Sequence, residues 1–342
     1  MRISHTNRPL VVVTMGDPAG IGPEVIAGAL SDPDVRGLAD LIVVGDARVM
    51  LAAFESRGLP QPKVHDKQGS GSTVDLSDGR VLLMDPGIPL DNAEPGKPTR
   101  EGAQKTLDCL DLASDIMKEG SGSGGRMALV TAPVNKEMIS GVKPGFIGHT
   151  EYLRDRHEVD FVTMVLVGEK LRVVPVTRHI PLKDVSRELT GDLLMRTLMQ
   201  VVDARVVICG RNEARIGVSA LNPHGGEGGK IGKEDISVIK PTIDRARAVY
   251  PHIVGPIPAD VIFHKAFNGG LDIVMAMYHD QGLAPFKMVE FETGVNMTIG
   301  LPYVRTSPDH GTAFDIAGKN IASSVSFKQA IKCAVKAVRQ AV

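Results

Sequence analysis

Short runs of Val, Ile and Leu, apolar at odd and even positions alike, recur along the chain between longer segments of helical character. They are "LVVVTMGD" (10–17), "LIVVGD" (41–46), "MALVTAP" (127–133), "FVTMVLVGEK" (161–170), "LRVVPVTRH" (171–179), "RVVICG" (205–210), "RIGVSALNPH" (215–224) and "DIVMAMYHD" (272–280). A strand with one wet face alternates, whereas a strand covered by helices on both faces does not. The pattern predicts an α/β fold with a mainly parallel sheet. Helices are expected over 99–119, 184–203, 234–248 and 326–342. The turn "GEK" (168–170) joins two adjacent runs and predicts a hairpin, so some antiparallel pairing enters the sheet. No internal repeat is present, and "QGSGST" (68–73) and "GSGSGG" (120–125) read as loops.

At 342 residues the chain can bury a large core, and its length suggests about two domains. Lys and Arg number 39 against 40 Asp and Glu, a net charge of -1, which argues against a nucleic-acid or anionic-membrane surface. The apolar stretch 10–15 is too short for a signal peptide, and no apolar span reaches membrane length. A soluble, cytoplasmic protein is expected. Cys109, Cys209 and Cys333 are odd in number, far apart and without a CxxC pair, which suits a reducing compartment and excludes a Cys-based zinc site.

Sites in open α/β sheets lie at the carboxyl ends of strands. Three predicted strands end in a histidine there: His179, His224 and His279. A single histidine in such a place is usually a hydrogen-bonded loop residue. Three in equivalent places point instead to a divalent metal, with Asp280 as a further ligand or as the group that orients His279. "GHTEYL" (148–153) sets His149 and Thr150 at a helix start, where an anion can be held. Lys287, Asn296 and Arg305 follow the third histidine and can bond phosphate or carboxylate, although each alone would pass for a surface residue. "GDPAGIGPE" (16–24) is a strand-to-helix turn, as readily structural as functional. "NPHGGEGGKIGKED" (222–235) holds five glycines before a helix start, which permits close backbone approach to a phosphate-bearing ligand. Gly120, Gly122 and Gly125 satisfy GxGxxG, but they follow a helix and precede a strand, the reverse of the dinucleotide-binding order.

Seven blocks in this order, "TMGDPAGIGPE", "TAPVNK", "GHTEYL", "LNPHGGEGG", "PAD", "AMYHDQGLAPFK" and "GVNMTIGLPYVRTSPDHGTAFDIAG", resemble the 4-hydroxythreonine-4-phosphate dehydrogenase family from about residue 10 to the C-terminus. The resemblance implies an NAD- or NADP-dependent, metal-dependent oxidative decarboxylation of 4-(phosphooxy)-L-threonine in pyridoxal phosphate biosynthesis. It also implies an isocitrate and isopropylmalate dehydrogenase-like fold: two α/β domains around a central cleft, no GxGxxG loop, and a homodimer with the active site near the interface. The domains are expected at 1–140 with 306–342, and at 141–305, the second carrying most metal and substrate residues.

Carried over residue by residue, the resemblance makes His179, His224 and His279 ligands of a divalent metal such as Zn, Mg, Co or Mn. His149, Thr150, Lys287, Asn296 and Arg305 become substrate contacts. Gly225, Gly226, Gly228, Gly229 and Asp260 fall on the cofactor side. Asp280, Lys287 or a metal-bound water is the general base. Arg178 stands where a small or hydroxylated residue is expected, which leaves the substrate open to D-threonate or D-erythronate 4-phosphate, the substrates of paralogues, or to an aromatic dihydrodiol. Outside the family, a metal-dependent hydrolase could use the same histidines, and an exported solute-binding protein would share the cleft.

Overall fold

The computed structural model describes residues 8–59, 72–76, 79–87, 90–121 and 126–341. Among them are twelve strands. The first six are β1 (Leu10–Thr14), β2 (Asp40–Val44), β3 (Ser72–Leu76), β4 (Gly79–Met84), β5 (Met127–Thr131) and β6 (Thr163–Val167). The others are β7 (Arg172–Pro175), β8 (Ile216–Ser219), β9 (Ile253–Ile257), β10 (Ile273–Ala276), β11 (Val295–Ile299) and β12 (Val304–Pro308). They fall into two compact units, one of residues up to Val162 with Leu301–Gln340, the other Thr163–Gly300. Residues 141–162 and 301–305, expected in the second domain, thus pack with the first, and His149, Thr150 and Arg305 go with them.

In the first unit the strand order is β3-β4-β2-β1-β5-β12. All neighbours are parallel except β3 and β4. Every residue of β1 and β5 is buried, which is why their sequences do not alternate. The helix Val325–Gln340 buries Phe327, Ala330, Ile331, Ala334, Val335 and Val338, the three- and four-residue spacing of one helical stripe. Behind β2 and β4, the Lys105 ammonium is almost fully buried between the carboxylates of Asp46 and Asp85.

In the second unit the order is β11-β6-β7-β10-β8-β9, with β7, β10, β8 and β9 mutually parallel. The strand β6 runs antiparallel to β11 and to β7, so the "GEK" hairpin is present. Its turn closes with the Gly168 N–H on the Leu171 carbonyl (2.8 Å), and the Glu290 carboxylate accepts from the Lys170 and Leu171 amides. A Cβ on Gly168 would stand 2.3 Å from Cδ of Glu290, so any other residue there would push that carboxylate off the turn.

Four local expectations are corrected. "RVVICG" is not a strand but the end of the helix Gly191–Cys209, stopped by Gly210 at φ 72. Burial of Leu194, Leu198, Val201, Val202 and Ile208 on one face outweighs the β preference of Val206 and Val207. The helix expected over 184–203 breaks before Gly191, where Thr190 accepts the Leu193 N–H (3.1 Å) and starts a new helix. The segment 234–248 opens with a π turn (Asp235–Ile239) before the helix Lys240–Arg247, and Pro241 has no N–H to give an ordinary α turn there. His279 does not end a strand; β10 stops at Ala276 and His279 is the first residue of the helix His279–Glu290. The "QGSGST" loop lies outside the described residues over 68–71, with Ser72 and Thr73 opening β3. Of the accidental GxGxxG, Gly122 and Gly125 lie outside them too. No helix of the described residues is long and apolar enough to cross a membrane.

Candidate active site

The parallel neighbours β7, β10 and β8 send their carboxyl ends to one edge of the second unit's sheet, and His179, His279 and His224 follow those ends. Pairing continues past the strands, with the Thr177 amide (3.1 Å) and hydroxyl (2.8 Å) both donating to the Met277 carbonyl. The loops bearing His179 and His279 therefore run side by side, and their ring centroids are 5.7 Å apart. Buried Gln281 accepts from the Met277 N–H (2.6 Å) and donates to the Ala220 carbonyl (2.8 Å), which ties the His279 helix to the exit of β8. There Asp235, also buried, accepts from the amides of Leu221 (2.8 Å) and Asn222 (3.1 Å).

From that anchor the chain enters a left-handed turn: His224, Gly225, Gly226, Glu227 and Gly228 all have φ between 43° and 79°. His224 and Glu227 each bear the cost of a side chain in that region, strain of the kind found at functional sites. A Cβ at Gly225 or Gly228 would meet nothing within 4 Å, so a ligand can approach the bare backbone. His224 is exposed, and its Nδ1 is 2.9 Å from the Glu227 carboxylate, which raises the imidazole pKa, with Asp260 adding to the effect. His279 likewise has Nδ1 2.7 Å from Asp280.

Among the described residues no group of three His, Cys, Asp or Glu side chains is disposed to hold a metal ion. The donor chemistry nonetheless suits one. Three imidazoles follow three adjacent strand ends, two of them already in ring contact. In His224 and His279 a carboxylate occupies Nδ1 and leaves Nε2 available to a metal, the arrangement that orients metal-bound histidines. Lys287 lies further along the His279 helix with its ammonium 5.5 Å from the Phe291 ring centroid. Asn296 on β11 has a buried Oδ1 without a hydrogen-bond partner.

The first unit gathers a second group around the carboxyl end of β5. Arg305, on β12, is buried and donates through Nε and Nη2 to the Thr131 hydroxyl at the end of β5. Burial lowers its pKa to about 10, so it stays a cation at neutral pH. His149 opens the helix His149–Arg156, and its Nε2 is buried with no hydrogen-bond partner. Burial, then the charges of Arg305 and Lys136, push its pKa well below the ordinary imidazole value. Thr150 follows on the same first turn, partly buried.

A family model, that of the pyridoxal phosphate biosynthetic protein PdxA, matches residues 37–334. The chain belongs to the PdxA family. It is 41% identical over 329 residues to the 4-hydroxythreonine-4-phosphate dehydrogenase of Desulfosudis oleivorans, covering 96% of each. It is 37% identical over 341 residues to a Halalkalibacterium halodurans protein provisionally named D-threonate 4-phosphate dehydrogenase, covering 96% of this chain and 97% of that one. The crystal structure of a 4-hydroxythreonine-4-phosphate dehydrogenase from Burkholderia phymatum superposes with a TM-score of 0.82 at 34% identity, over 97% and 99% of the two chains. Like its PdxA relatives, this chain is a dehydrogenase.

Several residues that shape these edges carry no role in the sequence reading. Thr131, Lys136, Gln281 and Asp235 lie inside the quoted motifs, but only the structure shows which groups they act on. Asp17, in the "GDPAGIGPE" turn, is buried, accepts the Ala19 N–H (2.9 Å), and has its pKa raised by burial. His310, inside the last of the seven blocks, has a buried Nε2 without a partner, a signal that only the structure gives.

Proposed function

We propose that this protein oxidises 4-(phosphooxy)-L-threonine with NAD or NADP in the cytoplasm, and that the β-keto acid formed loses CO₂ to give 3-amino-2-oxopropyl phosphate for pyridoxal phosphate biosynthesis. The observation that carries this is His149, whose buried Nε2 lacks a partner beside buried Arg305 and within the field of Lys136. Buried polar atoms are rarely left unbonded, and a phosphate would accept from all three groups. Neutral His149 donates one hydrogen bond without adding a third charge, and Thr150 offers a hydroxyl on the same turn.

A divalent ion held by His179, His224 and His279 would supply Lewis acidity at the substrate hydroxyl, and the nicotinamide the hydride acceptor. Asp280 and Glu227 keep two of the imidazoles turned through Nδ1. Lys287 and Asn296 contact the substrate, and Asp280 or Lys287 takes the hydroxyl proton. Gly225, Gly226, Gly228, Gly229 and Asp260 serve the cofactor, through bare backbone that allows close approach. The active form is a homodimer with the site near its interface, which agrees with exposed Met288, Val289 and Phe291 beside Lys287.

A second substrate reading, D-threonate or D-erythronate 4-phosphate, places a hydroxyl where the first has an amine; the Halalkalibacterium halodurans relative fits it, but no better than the other relatives fit the first. The test compares initial rates of NADH formation with the three phosphorylated acids and with 4-hydroxy-L-threonine. Loss of the phosphate should cost on the order of 3 kcal/mol, about a hundredfold in kcat/KM. Faster oxidation of threonate or erythronate 4-phosphate selects the second substrate. Equal rates with and without phosphate overturn the phosphate anchor, and no NADH with any acid overturns both readings.

A further inference from the structure

The amino ends of the strands that lead to the histidines frame a cavity of about 500 Å³ on the other edge of the second unit's sheet. Strand register brings its walls level: Val173 pairs with Val274 and Ile273 with Ile216, so Arg172, Asp272 and Arg215 stand in a row where β7, β10 and β8 begin. The hairpin turn adds Glu169 and Lys170, and the exit of the helix Gly191–Cys209 adds Cys209 and Arg211.

Four cations and two carboxylates therefore line the space. Asp272 is largely used within the wall: it takes Arg215 Nε (3.0 Å) and Nη2 (3.2 Å), and Arg211 Nη1 lies 3.5 Å away. Arg215 spends its other contact on the Gly269 carbonyl (2.8 Å). That leaves Arg172 and Lys170 against Glu169 alone, with Arg211 held to Asp272 by one contact at 3.5 Å. The Nε of Arg172 is buried and has no hydrogen-bond partner, although a buried guanidinium N–H normally has one. A cation beside a helix carboxyl end is by itself an ordinary cap. A cleft of this volume with surplus cations and an unsatisfied buried donor is not accounted for that way.

We propose that this cavity is an anion site for a phosphate monoester of metabolite size, separate from the histidine edge, with Arg172 and Arg211 as its principal donors. The volume is in the range of small-molecule pockets, and guanidinium groups suit phosphate through paired hydrogen bonds.

The test is calorimetric titration of the full-length protein with glycerol 3-phosphate at constant ionic strength, for wild type, Arg172→Gln and Arg211→Gln. Arg211 is 61% exposed, so its replacement leaves the fold intact should Arg172→Gln not fold. Wild type is expected to show a binding event that either substitution weakens at least about tenfold, while kcat/KM for the oxidised substrate stays unchanged. Because the readout is a difference between variants at residues that take no part in the proposed reaction, it stands whether or not the phosphate anchor of that reaction does. Identical isotherms for wild type and Arg211→Gln, or no binding event sensitive to either substitution, would overturn the site. A loss of kcat/KM equal to the loss of binding would overturn its separateness from catalysis.

Discussion

His149 loses solvent on folding and faces Arg305 and Lys136, so protonating it costs more in the folded protein than in the unfolded chain. Its folded pKa lies below the unfolded value of about 6.5. The unfolded chain therefore binds the proton first, and the stability that neutral His149 contributes is complete above about pH 6.5 and lost as pH falls toward the folded pKa. In His149→Gln the acid side of the Tm–pH curve should flatten, by no more than the ~1.4 kcal/mol per pH unit of one proton. Superimposable slopes for variant and wild type would contradict a buried neutral imidazole. The three histidines proposed to hold a metal make a different prediction. His279→Ala or His224→Ala should remove most turnover and weaken metal binding while leaving the circular dichroism spectrum unchanged, since both side chains are at least a third exposed. Near-normal turnover in a metal-free preparation would count against the trio. At this scale the sequence offers candidate ligands and is silent about supports. Three histidines after apolar runs are visible as a pattern, whereas Gln281 reaches Ala220 and Arg305 reaches Thr131 only once the sheet has formed.

Elements place these residues, and the turn after β1 shows how narrowly. Gly16 has φ 77, and a Cβ there would lie 2.4 Å from the Pro133 carbonyl oxygen, inside contact distance of the β5 exit loop. Gly16→Ala should lower stability by about 2 kcal/mol, from the left-handed conformation plus the backbone shift, read as a lower urea midpoint at unchanged m-value. A midpoint within error of wild type would show that the loops yield freely. Elements buried on both faces, such as β1, β5 and β10, are legible because their apolar runs are short and give way at once to Gly, Pro or polar residues. The β9 segment "IVGPI" is not, since Gly255 and Pro256 read as a turn, and its place at the end of the sheet order is where a proline is tolerated. The "RVVICG" run is misread for the converse reason: a buried helix end and a buried strand look alike over six residues, and only Gly210 at a left-handed φ marks the difference.

Over the whole molecule, the near-neutral charge and the two α/β units suit a small anionic substrate drawn in by local cations rather than by a general field. If catalysis depends on the dimer, diluting the protein until sedimentation shows monomer should abolish turnover, and an active monomer would contradict that. Sequence alone carries the α/β class and the reaction type by resemblance. It does not carry the unit boundaries, because 141–162 and 301–305 join the first unit through packing that no local pattern announces. The central claim, oxidation of a phosphorylated β-hydroxy acid followed by decarboxylation, is tested most directly by measuring NADH and CO₂ in the same reaction with 4-(phosphooxy)-L-threonine and added divalent metal. The expected result is about one CO₂ for each NADH, because the ketone is formed β to the carboxylate. NADH without CO₂, or CO₂ without NADH, would contradict it.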